Sequence, residues 1–195
     1  HMQYLFQIFY RLNSGGNKLY NQEIRNCIFQ GNFNTLLKDL ARSSDWLNAN
    51  HITKEKIETS RFNNEERILR FFAFYYEIDQ YKGKLASFLN EFMRTHKNLT
   101  EDVKNEYASL LSRSLKIAME IEKLSTSKNV FEAVLIGIAA NIGALEPKGV
   151  DVINKLYKDV ERDENFSEEA LKEGLGSLEK VKNRINAAKI IFAHG

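Results

Sequence analysis

The chain has 195 residues, of which 43% are hydrophobic and 28% charged, with a formal net charge of +2. Those are ordinary values for a globular protein with a real core, and the charge is too balanced to argue for nucleic acid, so any polyanion contact has to come from a local cluster. The one cysteine, Cys27, excludes an intrachain disulfide and thiolate metal sites; beside Ile28 and Phe29 it reads as a buried thiol rather than a reactive one, and the usage fits a reducing cytoplasm.

His1-Met2 reads as the scar of a removed tag, and Gln3-Tyr4-Leu5-Phe6 reads as mid-domain sequence. The chain is therefore expected to begin inside a longer protein, with an N-terminal domain of that protein missing. Leu5, Phe6, Phe9 and Leu12 recur at helical spacing and predict a short amphipathic helix. Left without its natural cover, that apolar helix is a route to dimerisation. Asn13-Ser14-Gly15-Gly16-Asn17 breaks it with a turn. A second helix is expected from Asn21 through Ile24 and Ile28, ended by Gly31-Asn32, and a third over Phe33, Leu36, Leu37 and Leu40.

Residues 45–54 read as a polar connection. Asn63 with Glu66 three residues later resembles a capping box, opening a helix over Ile68–Tyr76 that is apolar nearly all round and should be central. Gly83 separates it from the stripe Leu85, Phe88, Leu89, Phe92 and Met93. Thr100 is the expected N-cap of a helix of about six turns, marked by Val103, Tyr107, Leu110, Ser114, Ile117, Ile121 and Leu124. The run from Val130 to Leu145 contains Glu132 and Asn141 and falls short of the roughly 20 residues a membrane span needs, so it reads as a buried helix. Its small residues Ala133, Gly137, Ala140 and Ala144 predict close approach of a second helix. Ile153, Leu156, Tyr157 and Val160 mark another amphipathic segment. Ser167, with Phe166 and Leu171 as a hydrophobic staple, is the expected cap of the last helix. A single proline suits long helices. The expectation is an all-α, irregular multi-helix bundle around one very apolar central helix, without strands, in which residues 3–40 and 41–195 form one compact unit.

None of the four histidines, His1, His51, His96 and His194, stands four residues from another, so no metal site is expected and each reads as a surface residue. No catalytic Ser elbow, Walker loop or His-Asn-His pattern is present. Chemistry is most concentrated around the Gly turn. Free backbone N–H groups there can form an anion nest, the next helix adds a positive dipole end, and Arg11, Lys18 and Arg25 bring cations. An ordinary helix–turn–helix corner with solvated bases reads the same residues equally simply.

Phe9, Leu12, Asn13, Gly15, Gly16, Leu19, Glu23, Ile24 and Asn26 follow in that order. This series resembles the second signature of the family known as domain of unknown function 262, of ParB/sulfiredoxin-like, GmrSD-type restriction and phage-defence proteins. The likeness continues more loosely through Phe33-Asn34 and Leu36-Leu37, then Arg67–Ala73, and ends at Arg184-Ile185. The resemblance implies a nucleotide-processing module with a helical extension, residues 3–40 being the end of the former and 41–195 the latter. It implies a nucleoside triphosphate with Mg as ligand of the full-length protein, and DNA or a nuclease domain as partner. Arg11, Asn13, Gly15, Gly16 and Lys18 become the candidate phosphate contacts. The family's hallmark Asp-Gly-Gln-Gln-Arg motif is not in these residues, so no catalytic residue is assigned, and the fragment is expected to be inactive alone. A second reading is a non-catalytic interaction module that meets a nuclease domain, or DNA backbone through Lys180, Lys182, Arg184 and Lys189, which share one predicted helix but not one face.

Overall fold

The computed structural model describes Ile8 and residues 19–195. The Asn13–Gly16 turn, with Arg11 and Lys18, lies outside the described residues, as do Leu5, Phe6 and Phe9. From residue 19 on, the chain forms ten α-helices and no strand. They are α1 (Asn21–Ile28), α2 (Asn32–Ala41), α3 (Ser44–Ala49), α4 (Ile57–Glu77), α5 (Leu85–Thr95), α6 (Glu101–Ala118), α7 (Lys128–Ala140), α8 (Ile142–Leu145), α9 (Val150–Arg162) and α10 (Leu178–Phe192).

Two helices act as hubs. The middle of α4, from Ile68 to Phe74, has Ile68, Leu69, Phe71, Phe72, Ala73 and Phe74 all at 1% exposure or less. It is apolar all round because α1, α2, α5 and α7 each pack on it. Phe33 of α2 sits edge-on to Phe72, Phe92 and Tyr107, with centroids 5.8–6.2 Å apart, joining α2, α4, α5 and α6. The second hub, α7, is buried from Val130 to Ala139 between α4, α6 and α10. Gly137 is where α10 comes closest: a Cβ there would stand 2.8 Å from the carbonyl carbon and oxygen of Ala188. Helix α9 closes the far side with Ile153, Leu156, Tyr157 and Val160.

From residue 19 on, the expected helices are present, with altered ends. Helix α4 starts at Ile57, so Asn63 is an exposed mid-helix residue and not a cap. The polar stretch after residue 43 holds α3, because Ser43 caps it by accepting from the Trp46 N–H, and Trp46 plugs the core at 1% exposure. Thr100 caps α6 as expected, accepting from the Val103 N–H, but the helix stops at Ala118. Ile121 still reaches the core from the turn that follows. The apolar run breaks at Asn141, whose side-chain amide donates to the carbonyls of Gly137 and Lys189 and so ties the end of α7 to α10. Ala133 and Gly137 of the small-residue stripe face helices; Ala140, the last residue of α7, and Ala144, beyond the break, lie exposed. Ser167 caps only a turn, and α10 begins at Leu178, capped by Ser177.

Two side chains are placed otherwise than expected. Cys27 is exposed. Gln22, Ile24 and Arg25 are the buried residues of α1, and Cys27 falls outside the face they define. His96 is half-buried: its ring stacks on Phe92 at 3.9 Å, and Nδ1 meets the Phe92 carbonyl. His51 and His194 are exposed, as expected.

Candidate functional site

The unusual feature of the described residues is charge inside the bundle. Arg25 and Arg184 are each 1% exposed, Glu65 3% and Glu132 8%. Burying a charge is costly unless it is paired and hydrogen-bonded, and most of this set meets that condition across helices.

Arg25 on α1 donates from Nη1 to Glu66 Oε2 of α4 at 2.8 Å and to Gln22 Oε1 at 3.0 Å, and from Nε to Asn90 Oδ1 of α5 at 2.9 Å. Its neighbour Asn26 donates to Glu65 Oε2 at 2.6 Å. One turn further along α4, Arg70 grips Glu132 of α7 with two parallel bonds, Nε to Oε2 at 2.5 Å and Nη2 to Oε1 at 2.8 Å. This bidentate fork is the strong form of a charge-assisted pair. Arg184 of α10 enters the same interior and donates to the Leu175 carbonyl at 3.3 Å, while its Nε has no acceptor among the described residues. The series runs from α1 through α4 and α7 to α10.

Burial lowers the pKa of Arg25 and of Arg184, against the raising pull of Glu66 on the first and Glu132 on the second. Arg70 is desolvated too, but the charge and hydrogen bonds of Glu132 more than offset it and its pKa is raised. Arg67 is different. Desolvation pushes it down to about 10, helped by Arg70 and opposed by Glu132, so it is still a cation at neutral pH. Its guanidinium carbon lies 5.1 Å from the ring centroids of both Trp46 and Phe131. These rings stand edge to face, 6.2 Å apart. The three side chains wall a small cleft between α3, α4 and α7, with Lys128 and Asn63 at its mouth. Lys128 Nζ donates to Asn63 Oδ1 at 3.1 Å.

The residues singled out from the sequence are distributed as follows. Arg11, Asn13, Gly15, Gly16 and Lys18 are outside the described residues. Of the matching residues that follow, Ile24 and Phe33 are core, and Asn26 bridges to Glu65 and, through its carbonyl, to Asn34. The four cations of α10 separate. Lys180 and Arg184, four residues apart, turn toward the 164–177 loop, where Lys180 Nζ is held by the carbonyls of Ala170 and Glu173. Lys182 Nζ lies 3.7 Å from Asp79, and Lys189 is partly desolvated near the same carboxylate. A DNA contact through all four would require Arg184 to leave the core.

Among the described residues, no three His, Cys, Asp or Glu side chains are grouped to hold a metal ion, and no helix is long and apolar enough to cross a membrane. Sequence reading passed over Arg67, Arg70 and Glu132 as a set. The signal was Glu132 itself, an acid in the most apolar run of the chain, which demands a buried partner. No family model, curated protein or solved structure matches this chain.

Proposed function

We propose that this chain is the helical part of a GmrSD-type restriction or phage-defence protein that works in the cytoplasm. In this reading Arg11, Asn13, Gly15, Gly16 and Lys18 edge a nucleoside-triphosphate pocket, and helices α1 to α10 form a regulatory module. The module passes the state of that pocket to a nuclease domain. The single observation supporting it is the placement of α1. This helix follows the Gly segment in sequence, and it is joined to α4 by an ion pair, buried Arg25 with half-buried Glu66, and by Asn26–Glu65. Helix α4 is joined to α7 by Arg70–Glu132. A shift of α1 therefore has to break the Arg25–Glu66 pair or carry α4 with it, which couples the two helices.

The test is triphosphate hydrolysis by the protein that carries the upstream motif together with this chain. Asn13→Ala and Arg11→Ala are expected to fold and lose turnover. Glu66→Gln is expected to keep turnover while uncoupling it from DNA cleavage. Unchanged turnover in both turn variants would overturn the pocket, and unchanged coupling in Glu66→Gln would overturn the relay.

A further inference from the structure

We infer that the cleft between α3, α4 and α7 binds a phosphate group, held by Arg67 and Lys128. The inference does not rest on the family reading.

The argument begins with the charges that line the cleft. Its two carboxylates are already committed, Glu66 to Arg25 at 2.8 Å and Glu132 to Arg70 through two bonds. Arg67 forms no direct ion pair and no hydrogen bond among the described residues; Glu132 acts on it only through space, and its guanidinium lies over the rings of Trp46 and Phe131. Lys128 is exposed and meets only the neutral amide oxygen of Asn63. Two cations are thus left over at one opening, a match for a phosphate dianion. A guanidinium lying over aromatic rings, with no acceptor of its own, can present two parallel donors to an oxyanion.

A second observation is independent of charge. Trp46 lines the same cleft at 1% exposure, and its indole N–H is buried with no acceptor among the described residues. An orphaned buried donor costs free energy, and an oxygen in the cleft that reached it would recover that cost. The size of the cleft limits the ligand. Its volume is about 150 Å³, the share of about five liquid waters, which admits a phosphate group with a water or two but leaves no room for a nucleoside. The group is therefore inorganic phosphate, or the terminal phosphate of an ester whose remainder stays in solvent.

Trp46 is the only tryptophan, so its emission and its indole N–H resonance report on this cleft alone. The full chain is titrated at constant ionic strength with inorganic phosphate and, separately, with a nucleoside triphosphate without Mg. A saturable emission change with a downfield shift of the indole proton is expected. Lys128→Gln and Arg67→Gln should each weaken binding about tenfold or more, and Arg113→Gln, an exposed arginine paired with Glu146, should leave it unchanged. Asn13→Ala should also leave the response in place, separating this cleft from the turn. Response to inorganic phosphate identifies the free ion as sufficient; response to the triphosphate alone identifies the ester as the source. Should Arg67→Gln not fold, the exposed Lys128 carries the test. No saturable change with either ligand, or a change that survives Lys128→Gln, overturns the inference.

Discussion

Glu132 is the residue on which the interior charges depend. It accepts both bonds of Arg70, and it is the counter-charge that holds up the pKa of Arg184 and Arg67 against desolvation. Glu132→Gln keeps the shape and removes the charge, leaving three desolvated arginines around a neutral amide. Breaking a buried pair from one side costs roughly 3–5 kcal/mol, and each kcal/mol lowers the melting temperature by roughly 2–4 °C in a chain of this size. Thermal unfolding should therefore show a large drop for Glu132→Gln and a smaller one when Arg70→Met is added. A melting temperature equal to that of the wild type would mean the network is solvated and not structural. Little of this was legible in advance. Arg25 and Glu66 are 41 positions apart and Arg70 and Glu132 are 62 apart, so no local pattern pairs them. Cys27 shows the same limit from the other side: apolar neighbours in sequence do not fix which face of a helix turns inward.

At the level of elements, periodicity reads helices well where one face is buried, and reads their ends poorly. Helices α2, α5, α6 and α9 follow their apolar stripes, and the all-round apolarity of α4 correctly marks a hub. The ends were decided by tertiary bonds that the sequence does not display. Asn141 stops α7 because its amide finds the Lys189 carbonyl across the α7–α10 contact. Ser177, not Ser167, caps α10 because the loop between them folds back and Tyr81 Oη donates to the Gly176 carbonyl. Small residues did predict close helix packing, and two glycines provide the test. Gly137→Ala gains roughly 1 kcal/mol of helix propensity but drives a methyl against the backbone of Ala188, which cannot move aside as a side chain can. Overpacking of this kind costs roughly 1–3 kcal/mol, so net destabilisation is expected by chemical denaturation. Gly143→Ala, with nothing within 4 Å of the new methyl, should be neutral or slightly stabilising. Equal behaviour of the two would mean that α7 and α10 are not in tight register.

For the molecule as a whole, the arrangement of two hubs makes a statement about cooperativity. Every long helix touches α4 or α7 except α9, which packs against α10, and the hubs touch each other around Arg70–Glu132. The early helices α1 and α2 and the late helices α9 and α10 therefore have no independent core to retain when the other half opens. Native-state hydrogen exchange tests this directly, since amides released only by global opening share one free energy. The amides of Ile68–Phe74 and Phe131–Ala139 should exchange last, with the same free energy and the same denaturant dependence. The 146–150 and 167–177 connections, exposed over most of their length, should exchange early. If α7 and α10 instead open together at a lower free energy than α4, the C-terminal half is a separate folding unit. The buried charges would then be a latch between two units rather than a feature of one core.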